Sequence, residues 1–189
     1  FTTQVGGAEN ETLHVVDTAT GRLETDTLPD VGGGTSPTAL VWDGDGKGFL
    51  HTLWPKNPDG SVASSRIEIW HHVLGTDPAN DTYVFGRGLS PRAEYTLLGS
   101  ADGRYQAIAE TDGDGVHETI YTRSAGGTFA RVATPADAIG SSGDAGAAYV
   151  GDRLLVISAK RHSRAEVVAI EPNGTFAGGT VAVPASNVV

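Results

Sequence analysis

Ile67-Glu-Ile-Trp-His-His-Val-Leu74 is the stretch that decides the fold, because its outline recurs three more times along the chain. The related segments are Thr12-Leu-His-Val-Val-Asp-Thr-Ala19, His117-Glu-Thr-Ile-Tyr-Thr-Arg-Ser124 and Ala165-Glu-Val-Val-Ala-Ile-Glu-Pro172. The four segments start at positions 12, 67, 117 and 165, so successive starts are 55, 50 and 48 residues apart. A period of about 40 to 50 residues, with several short strands in each unit, is typical of a β-propeller.

Each repeat has the same internal order of strands and turns. A first strand enters a Gly/Asp turn, a second leaves it, the third is one of the four segments above, and a fourth closes the unit. The turns are Asp43-Gly-Asp-Gly-Lys-Gly48, Ala101-Asp-Gly-Arg-Tyr105 and Val150-Gly-Asp-Arg153. Asp-Gly and Gly-Asp between alternating apolar residues are strong hairpin signals, because these turns need positive φ. The pattern predicts an all-β fold of four-stranded antiparallel blades.

The repeat predicts three complete blades over residues 38–86, 93–134 and 144–184, and a partial blade near residues 1–30. Residues 1–189 are therefore expected to form one partial propeller domain of about three and a half blades. Propellers close with four to eight blades, so this number does not complete a ring. The chain also contains no methionine. We expect it to be an excerpt of a longer protein.

Composition excludes several classes of function. The formal net charge of −10 opposes binding to phosphate backbones, so no nucleic-acid partner is expected. The absence of cysteine excludes disulfides, thiolate metal sites and a cysteine nucleophile. No apolar run approaches 18 residues, so no membrane span is predicted. We expect a soluble protein of the cytoplasm or periplasm, and the Ala-, Gly-, Thr- and Asp-rich composition favours a bacterial source.

Several motifs resemble the propeller of the prolyl oligopeptidase family. The most specific is the His-x-Leu-Gly-Thr run within Ile69-Trp-His-His-Val-Leu-Gly-Thr-Asp-Pro-Ala-Asn-Asp-Thr-Tyr-Val-Phe85. Further matches follow in the same order as in that family over about 165 residues: Gly21-Arg-Leu-Glu-Thr-Asp-Thr-Leu-Pro29, Ala39-Leu-Val-Trp-Asp-Gly-Asp-Gly-Lys-Gly-Phe-Leu50, Trp54-Pro55, Gly99-Ser-Ala-Asp-Gly-Arg-Tyr105 and Ser158-Ala-Lys-Arg-His-Ser-Arg164.

The resemblance implies a two-domain serine peptidase that cleaves short peptides after proline. An α/β-hydrolase domain carries the catalytic Ser, Asp and His, and a seven-bladed propeller excludes folded proteins from the buried site. This chain would be the front half of that propeller. It has no Gly-x-Ser-x-Gly elbow, so no catalytic residue is assigned and the chain alone is expected to be inactive. The implied partners are the hydrolase domain of the same parent chain and small proline-containing peptides.

Six residues are predicted to face substrate. In the family, a loop matching the region after Arg104-Tyr105 carries a basic residue that contacts peptide, and that position falls near Thr111. The neighbourhood here is acidic, with Asp112 and Asp114, which departs from the family pattern and suggests a preference for basic residues near the cleaved proline, or a loop that takes no part. Leu50, His51 and Thr52 on an inner strand are the other predicted pocket-facing positions.

No metal or other cofactor is predicted. His71 and His72 are adjacent in a strand and point to opposite faces, so they do not suit one ion even with His51 nearby. Asp43-Gly-Asp-Gly46 and Asp112-Gly-Asp-Gly115 are incomplete as calcium loops. Trp42, Trp54 and Trp70 are expected to pack between blades. Two alternatives remain open: a stand-alone propeller that binds protein, peptide or sugar, and a calcium-stabilised propeller.

Overall fold

Strands and short turns make up the regular structure. The computed structural model describes residues 1–7, 10–32, 40–140 and 146–186, and no α-helix occurs among them. The strands are β1 Thr2–Thr3, β2 Glu11–Val16, β3 Leu23–Val31, β4 Leu40–Trp42, β5 Gly48–Leu53, β6 Glu68–Val73, β7 Thr82–Phe85, β8 Ala93–Gly99, β9 Tyr105–Asp112, β10 Thr119–Ser124, β11 Ala130–Ala133, β12 Ala147–Val150, β13 Arg153–Ser158, β14 Glu166–Ile170 and β15 Thr180–Val183. Three single 3-10 turns cover Pro78–Asn80, Pro135–Asp137 and Phe176–Gly178.

The strands pair as antiparallel blades. Strands β8 to β11 and β12 to β15 form two four-stranded sheets in chain order. Strands β4 to β7 form a third set, and β3 joins it at β5 through the single residue pair Val31 and Leu53. Strands β1 to β3 form a shorter, three-stranded antiparallel set. The predicted all-β fold of antiparallel four-stranded sheets is confirmed. The predicted blade starts at 38 and 144 lie outside the described residues.

The last two strands of each four-stranded set share an irregularity. The register shifts between Ile69 and Trp70, between Ile120 and Tyr121, and between Val167 and Val168. A bulge of this kind increases the local twist of a strand pair. Its recurrence near the same place in three sheets shows that the sequence repeat extends to backbone detail.

The hairpin between β4 and β5 requires glycine for two different reasons. Gly46 has a φ of +66°, which side-chain-bearing residues rarely adopt. Gly48 has an ordinary φ, but a Cβ at this position would lie 2.5 Å from the carbonyl oxygen of His72. The Asp-Gly-Asp-Gly-Lys-Gly turn therefore fits the hairpin both by conformation and by close approach to β6.

Residue contacts divide the chain into two compact units, which we call unit 1 (Phe1–Tyr95) and unit 2 (Thr96–Val189). Unit 1 contains an apolar cluster of Leu13, Val15, Leu28, Val31 and Phe49. Unit 2 contains a larger apolar cluster drawn from β9 to β14 and the last 3-10 turn, including Ala107, Ile120, Ile139, Leu154, Val156, Val168, Ile170 and Phe176.

The three tryptophans differ in burial. Trp54 is 6% exposed and Trp70 is half-buried, whereas Trp42 is 42% exposed and meets Phe49 edge-on with ring centroids 5.0 Å apart. The prediction that all three are packed between blades is wrong for Trp42. It lies on the short strand β4, and much of its ring remains in contact with solvent.

Candidate functional site

A network of four ionisable side chains is buried in unit 1. Asp26 lies in β3, His51 in β5 and His72 in β6, and Asp81 follows the first 3-10 turn directly. Their side chains are at most 6% exposed. Because isolated charges are costly to bury, such groups are expected to be paired, and in this network each has a partner.

His72 lies at the centre of the network. Its Nε2 is 2.9 Å from Asp26 Oδ1 and its Nδ1 is 2.7 Å from Asp81 Oδ1. Since carboxylates only accept hydrogen bonds, this geometry is satisfied when both ring nitrogens donate, which is the imidazolium form. His51 extends the chain through Nε2, which is 3.1 Å from Asp81 Oδ2, while its Nδ1 is 3.3 Å from the carbonyl oxygen of Thr52.

The pKa of Asp26 reflects two opposing effects. Burial by itself raises this pKa, but hydrogen bonds from the His72 ring and from the Gly75 amide, together with the charge of His72, lower it by more. The net pKa lies below the usual carboxyl range. Asp26 therefore remains ionised beside His72, and the network is stabilised by its own charges.

Strand alternation explains why these side chains meet. Phe49 pairs with His72 across β5 and β6, and His51 pairs with Trp70, so all four lie on one face of the sheet. The ring centroids of Phe49 and His72 are 5.3 Å apart. His71 points to the opposite face, where its Nε2 is 2.6 Å from Asp43 Oδ2. The adjacent histidines consequently serve different contacts.

The network has a structural character. Both nitrogens of each buried ring are engaged by protein oxygens, so neither ring has a nitrogen ready to take a proton from a substrate. General-base catalysis requires such a nitrogen within hydrogen-bonding reach of the reacting group. The arrangement instead connects β3 to β5, β6 and the residue before β7.

A cleft of about 730 Å³ lies beside the network in unit 1. His51 and Asp81 are part of its lining. The other lining residues come from β3, the end of β5 and the segment after it, β6, the first 3-10 turn and the segment after β7: Thr27, Leu28, Pro29, Asp30, Leu53, Trp54, Pro55, Lys56, Glu68, Trp70, Asp77, Pro78, Ala79 and Arg87. The lining is rich in tryptophan and proline, and its charged side chains are of both signs.

Comparison with known proteins identifies the family. Residues 1–177 match the model of the prolyl oligopeptidase N-terminal β-propeller domain. This chain belongs to that family. The prediction made from the His-x-Leu-Gly-Thr run and its flanking motifs is therefore confirmed.

Solved structures of prolyl oligopeptidases share the fold. One prolyl endopeptidase, from a study of inter-domain dynamics in two such enzymes, is 24% identical with a TM-score of 0.74 over 96% of this chain and 26% of its own. Prolyl oligopeptidase B from Galerina marginata in its apo form is 14% identical, with a TM-score of 0.70 over 98% of this chain and 27% of its own. The chain thus spans about a quarter of the length of these proteins.

The six residues predicted to face substrate fall into two groups, one in each unit. Leu50, His51 and Thr52 are consecutive in β5 and are at most 1% exposed. His51 lines the cleft and binds Asp81, whereas Leu50 and Thr52 lie on the other face of the strand. The structure thus gives His51 a specific partner that the sequence alone did not indicate.

The acidic loop lies at the end of β9 in unit 2. Thr111 is half-buried, and Asp112 and Asp114 are exposed. The turn closes through the Gly115 amide, which donates to the carbonyl oxygen of Asp112 at 3.3 Å. Two carboxylates are therefore presented to solvent on a short turn between β9 and β10.

Two further expectations concern metals and membranes. Among the described residues, no group of three or more His, Cys, Asp or Glu side chains is arranged to hold a metal ion. Asp43 contacts His71 instead, and Asp45 lies 3.8 Å from Lys47. In the same part of the chain, no helix has the length and apolar character needed to cross a membrane.

Sequence reasoning missed Asp26 and Asp81, the two carboxylates of the network. Asp26 precedes His72 by 46 residues, and Asp81 follows His51 by 30. Asp26 lies within β3 and Asp81 directly before β7, and in the sequence both look like ordinary polar residues. The available signal was weak: His72 stands within a strand at a position where an apolar residue would be expected, which indicates a buried partner.

Proposed function

We propose that this propeller segment controls access to a serine-peptidase active site in an α/β-hydrolase domain of the same protein, which cleaves short peptides after proline. The match of residues 1–177 to the family's propeller model carries the proposal. The prolyl oligopeptidase structures with the same fold support it at the level of architecture.

The physical basis of such gating is steric. A propeller blade is a stiff four-stranded sheet, and a ring of blades admits only what fits its central opening. The buried network supports this role because it ties β3 to the sheet of β5 and β6 through charge-assisted hydrogen bonds, which are among the stronger kinds.

The test is peptide cleavage by the intact protein. A short chromogenic peptide with a proline before the reporter group should be hydrolysed, while the same peptide with alanine in place of proline should react far more slowly. A large folded protein with exposed prolines should remain intact. Equal rates for the proline and alanine peptides would overturn the proline preference, and digestion of the folded protein would overturn gating.

We also propose that the six predicted positions face substrate. Substitution of the exposed carboxylates Asp112 and Asp114 can test this proposal. Two exposed negative charges favour the approach of a basic side chain. Leu50, His51 and Thr52 are buried within β5, so substitution there would alter the fold together with any substrate contact.

A double substitution tests the acidic loop. Asp112→Asn with Asp114→Asn should raise KM several-fold for a peptide with lysine next to the cleaved proline and leave KM for a neutral peptide unchanged. Asp45→Asn, which removes an exposed carboxylate from a turn in unit 1, is the matched control. An equal change in KM for both peptides, or no change for either, would show that the acidic loop does not recognise the basic side chain of the substrate.

A further inference from the structure

The cleft of unit 1 has the size and the walls of a ligand site. Its volume of about 730 Å³ falls within the range of about 300–1,000 Å³ that is common for binding pockets. The walls include Trp54, Trp70 and three prolines. Of its lining residues, only His51 is among the positions proposed above to face substrate.

Trp70 presents a ring whose orientation is already fixed. Its Nε1–H donates to Glu68 Oε2 at 3.0 Å, and its ring meets Tyr83 edge-on with centroids 5.9 Å apart. The Arg87 guanidinium lies 5.5 Å from the centre of the Trp70 ring and 4.0 Å from that of Tyr83. A ligand that stacks on Trp70 therefore loses little side-chain entropy in ordering it.

Pro29, Pro55 and Pro78 give the cleft rigid apolar walls. They come from the end of β3, the segment after β5 and the first 3-10 turn, respectively. Proline has a fixed φ and no backbone N–H, so these positions offer apolar ring surface and no main-chain donor. Walls of this kind suit flat, apolar groups.

All the charged side chains of the lining except Asp77 are paired with one another. Lys56 Nζ is 3.4 Å from Asp30 Oδ2, and Arg87 Nε is 2.9 Å from Glu68 Oε1. His51 binds Asp81. The remaining carboxylate, Asp77, accepts a hydrogen bond from the Ala79 amide at 2.9 Å and so caps the 3-10 turn. An occupant with a net charge would have to compete with these pairs, so the lining favours an uncharged one.

We propose that this cleft binds an uncharged, extended peptide segment that contains proline, with a proline ring stacked on Trp70. Proline-rich segments adopt the polyproline II conformation in advance of binding and dock in aromatic-lined grooves. The site is a second peptide-binding surface of the protein and is independent of where a peptide bond would be cleaved.

The test measures binding of a defined probe to the intact protein, pretreated with a serine-reactive fluorophosphonate so that the probe remains whole. The probe is an uncharged peptide with capped termini and four consecutive prolines, labelled with an electrically neutral boron-dipyrromethene dye, and the control is a Gly-Ser peptide of the same length with the same label. Fluorescence anisotropy should show binding of the proline peptide alone. Because the probe carries no charge and most of the lining charges are paired internally, its Kd should stay nearly constant when salt is raised from about 0.05 to 0.5 M.

Substitutions locate the site. Trp70→Ala should weaken binding roughly tenfold or more, whereas Trp70→Phe should retain part of it. Trp42→Ala is the matched control, since Trp42 is an exposed tryptophan of unit 1 that does not line this cleft. Ala79→Arg places a large side chain at an exposed position of the cleft wall, and it should also abolish binding without loss of a buried group.

Three results would overturn the proposal: no preference for the proline peptide over the Gly-Ser peptide, unchanged affinity in both Trp70→Ala and Ala79→Arg, or a Kd that rises steeply with salt. The gating proposal fails separately, through the chromogenic peptide assay on untreated protein. Loss of cleavage with retained probe binding, or the reverse, therefore distinguishes the two.

Discussion

One buried carboxyl group in each unit shows how different the surroundings of such a group can be. In unit 1, Asp26 is hydrogen-bonded by His72 and by the Gly75 amide, and its pKa is lowered. In unit 2, Glu118 accepts a hydrogen bond from the Gly146 amide on Oε1, but its Oε2 is buried with no hydrogen-bond partner among the described residues. Burial raises the pKa of Glu118 by more than the Gly146 hydrogen bond lowers it.

A buried charge is expected to stabilise a blade only where opposite charge lies beside it. Unit 1 combines a small apolar cluster with a satisfied ionic network, whereas unit 2 has an extended apolar cluster, a buried Glu166 paired with Arg161, and one poorly satisfied carboxyl group, that of Glu118. The two units should therefore respond differently to loss of charge, loss of volume and change of pH.

The largest effect is expected from His72→Ala. This change leaves the carboxylates of Asp26 and Asp81 buried without their shared cation, and breaking a buried pair typically costs about 3–5 kcal/mol. The measurement is the free energy of unfolding in urea. His71→Ala is the control, because its partnership with Asp43 is partly exposed and should contribute at most about 1 kcal/mol. Equal losses for the two variants would contradict the ionic account of unit 1.

Ile120→Ala tests the apolar account of unit 2. Ile120 is fully buried in the cluster of that unit, and truncation of such a residue costs about 2–5 kcal/mol. Thermal unfolding followed by circular dichroism would show the loss. The loss of stability caused by Ile120→Ala should be nearly independent of pH, in contrast to the loss caused by His72→Ala. A strong pH dependence for Ile120→Ala would argue against a purely apolar cluster.

Asp26→Asn and Glu118→Gln should change stability with opposite signs at neutral pH. The lowered pKa of Asp26 means that its ionised form stabilises the fold above the pKa of the unfolded chain, and this contribution is lost as pH falls through the folded value. The raised pKa of Glu118 means that its contribution is present below the unfolded pKa and is lost as pH rises through the folded value.

We therefore expect Asp26→Asn to destabilise the protein at pH 7 by about 1.5–3 kcal/mol, and Glu118→Gln to stabilise it by about 1 kcal/mol. For each variant, the difference from wild type in the free energy of unfolding should become smaller as the pH falls. Urea unfolding at several pH values provides the measurement. Changes of the same sign at pH 7 would show that the two carboxyl groups are not in contrasting environments.

The smallest effect is expected within unit 1, from Trp54→Phe. The Nε1–H of Trp54 is buried and has no hydrogen-bond partner in the described part of the chain, so its removal relieves a penalty that offsets the lost ring volume. The free energy of unfolding should change by less than about 1 kcal/mol. Trp70→Phe, which loses the hydrogen bond to Glu68, should be the more destabilising of the two in the same assay.

Most of the fold could be predicted from the sequence, because hairpin turns and strand alternation are local signals. The repeated segments predicted at 67–74 and 117–124 contain β6 and β10. The network was not predictable in this way, since Asp26 and His72 meet only through the packing of β3 against the sheet of β5 and β6. Trp42 was mispredicted for a related reason: composition indicates that a tryptophan is large and apolar, but only the packed strands decide how much of it is covered.

The cleft also could not be predicted from local sequence patterns. Its walls come from five separate segments between Thr27 and Arg87, and nothing in any one of them indicates a cavity. Trp54-Pro55 was noted as a family match and Trp70 as a packing residue, yet their shared cleft depends on the turn at Pro78–Asn80 as well. A site assembled from several segments becomes visible only in three dimensions.

The long sequence separation within the network has a consequence for the order of folding. The β5 and β6 hairpin can form early because its strands are close in sequence, whereas the contact between Asp26 and His72 closes a loop of 46 residues. We expect the network to be absent from the transition state, so that Asp26→Asn accelerates unfolding and hardly slows refolding, with a φ-value near zero in stopped-flow kinetics. The His72 network would then form late in folding, and its main effect would be to slow the unfolding of the blade.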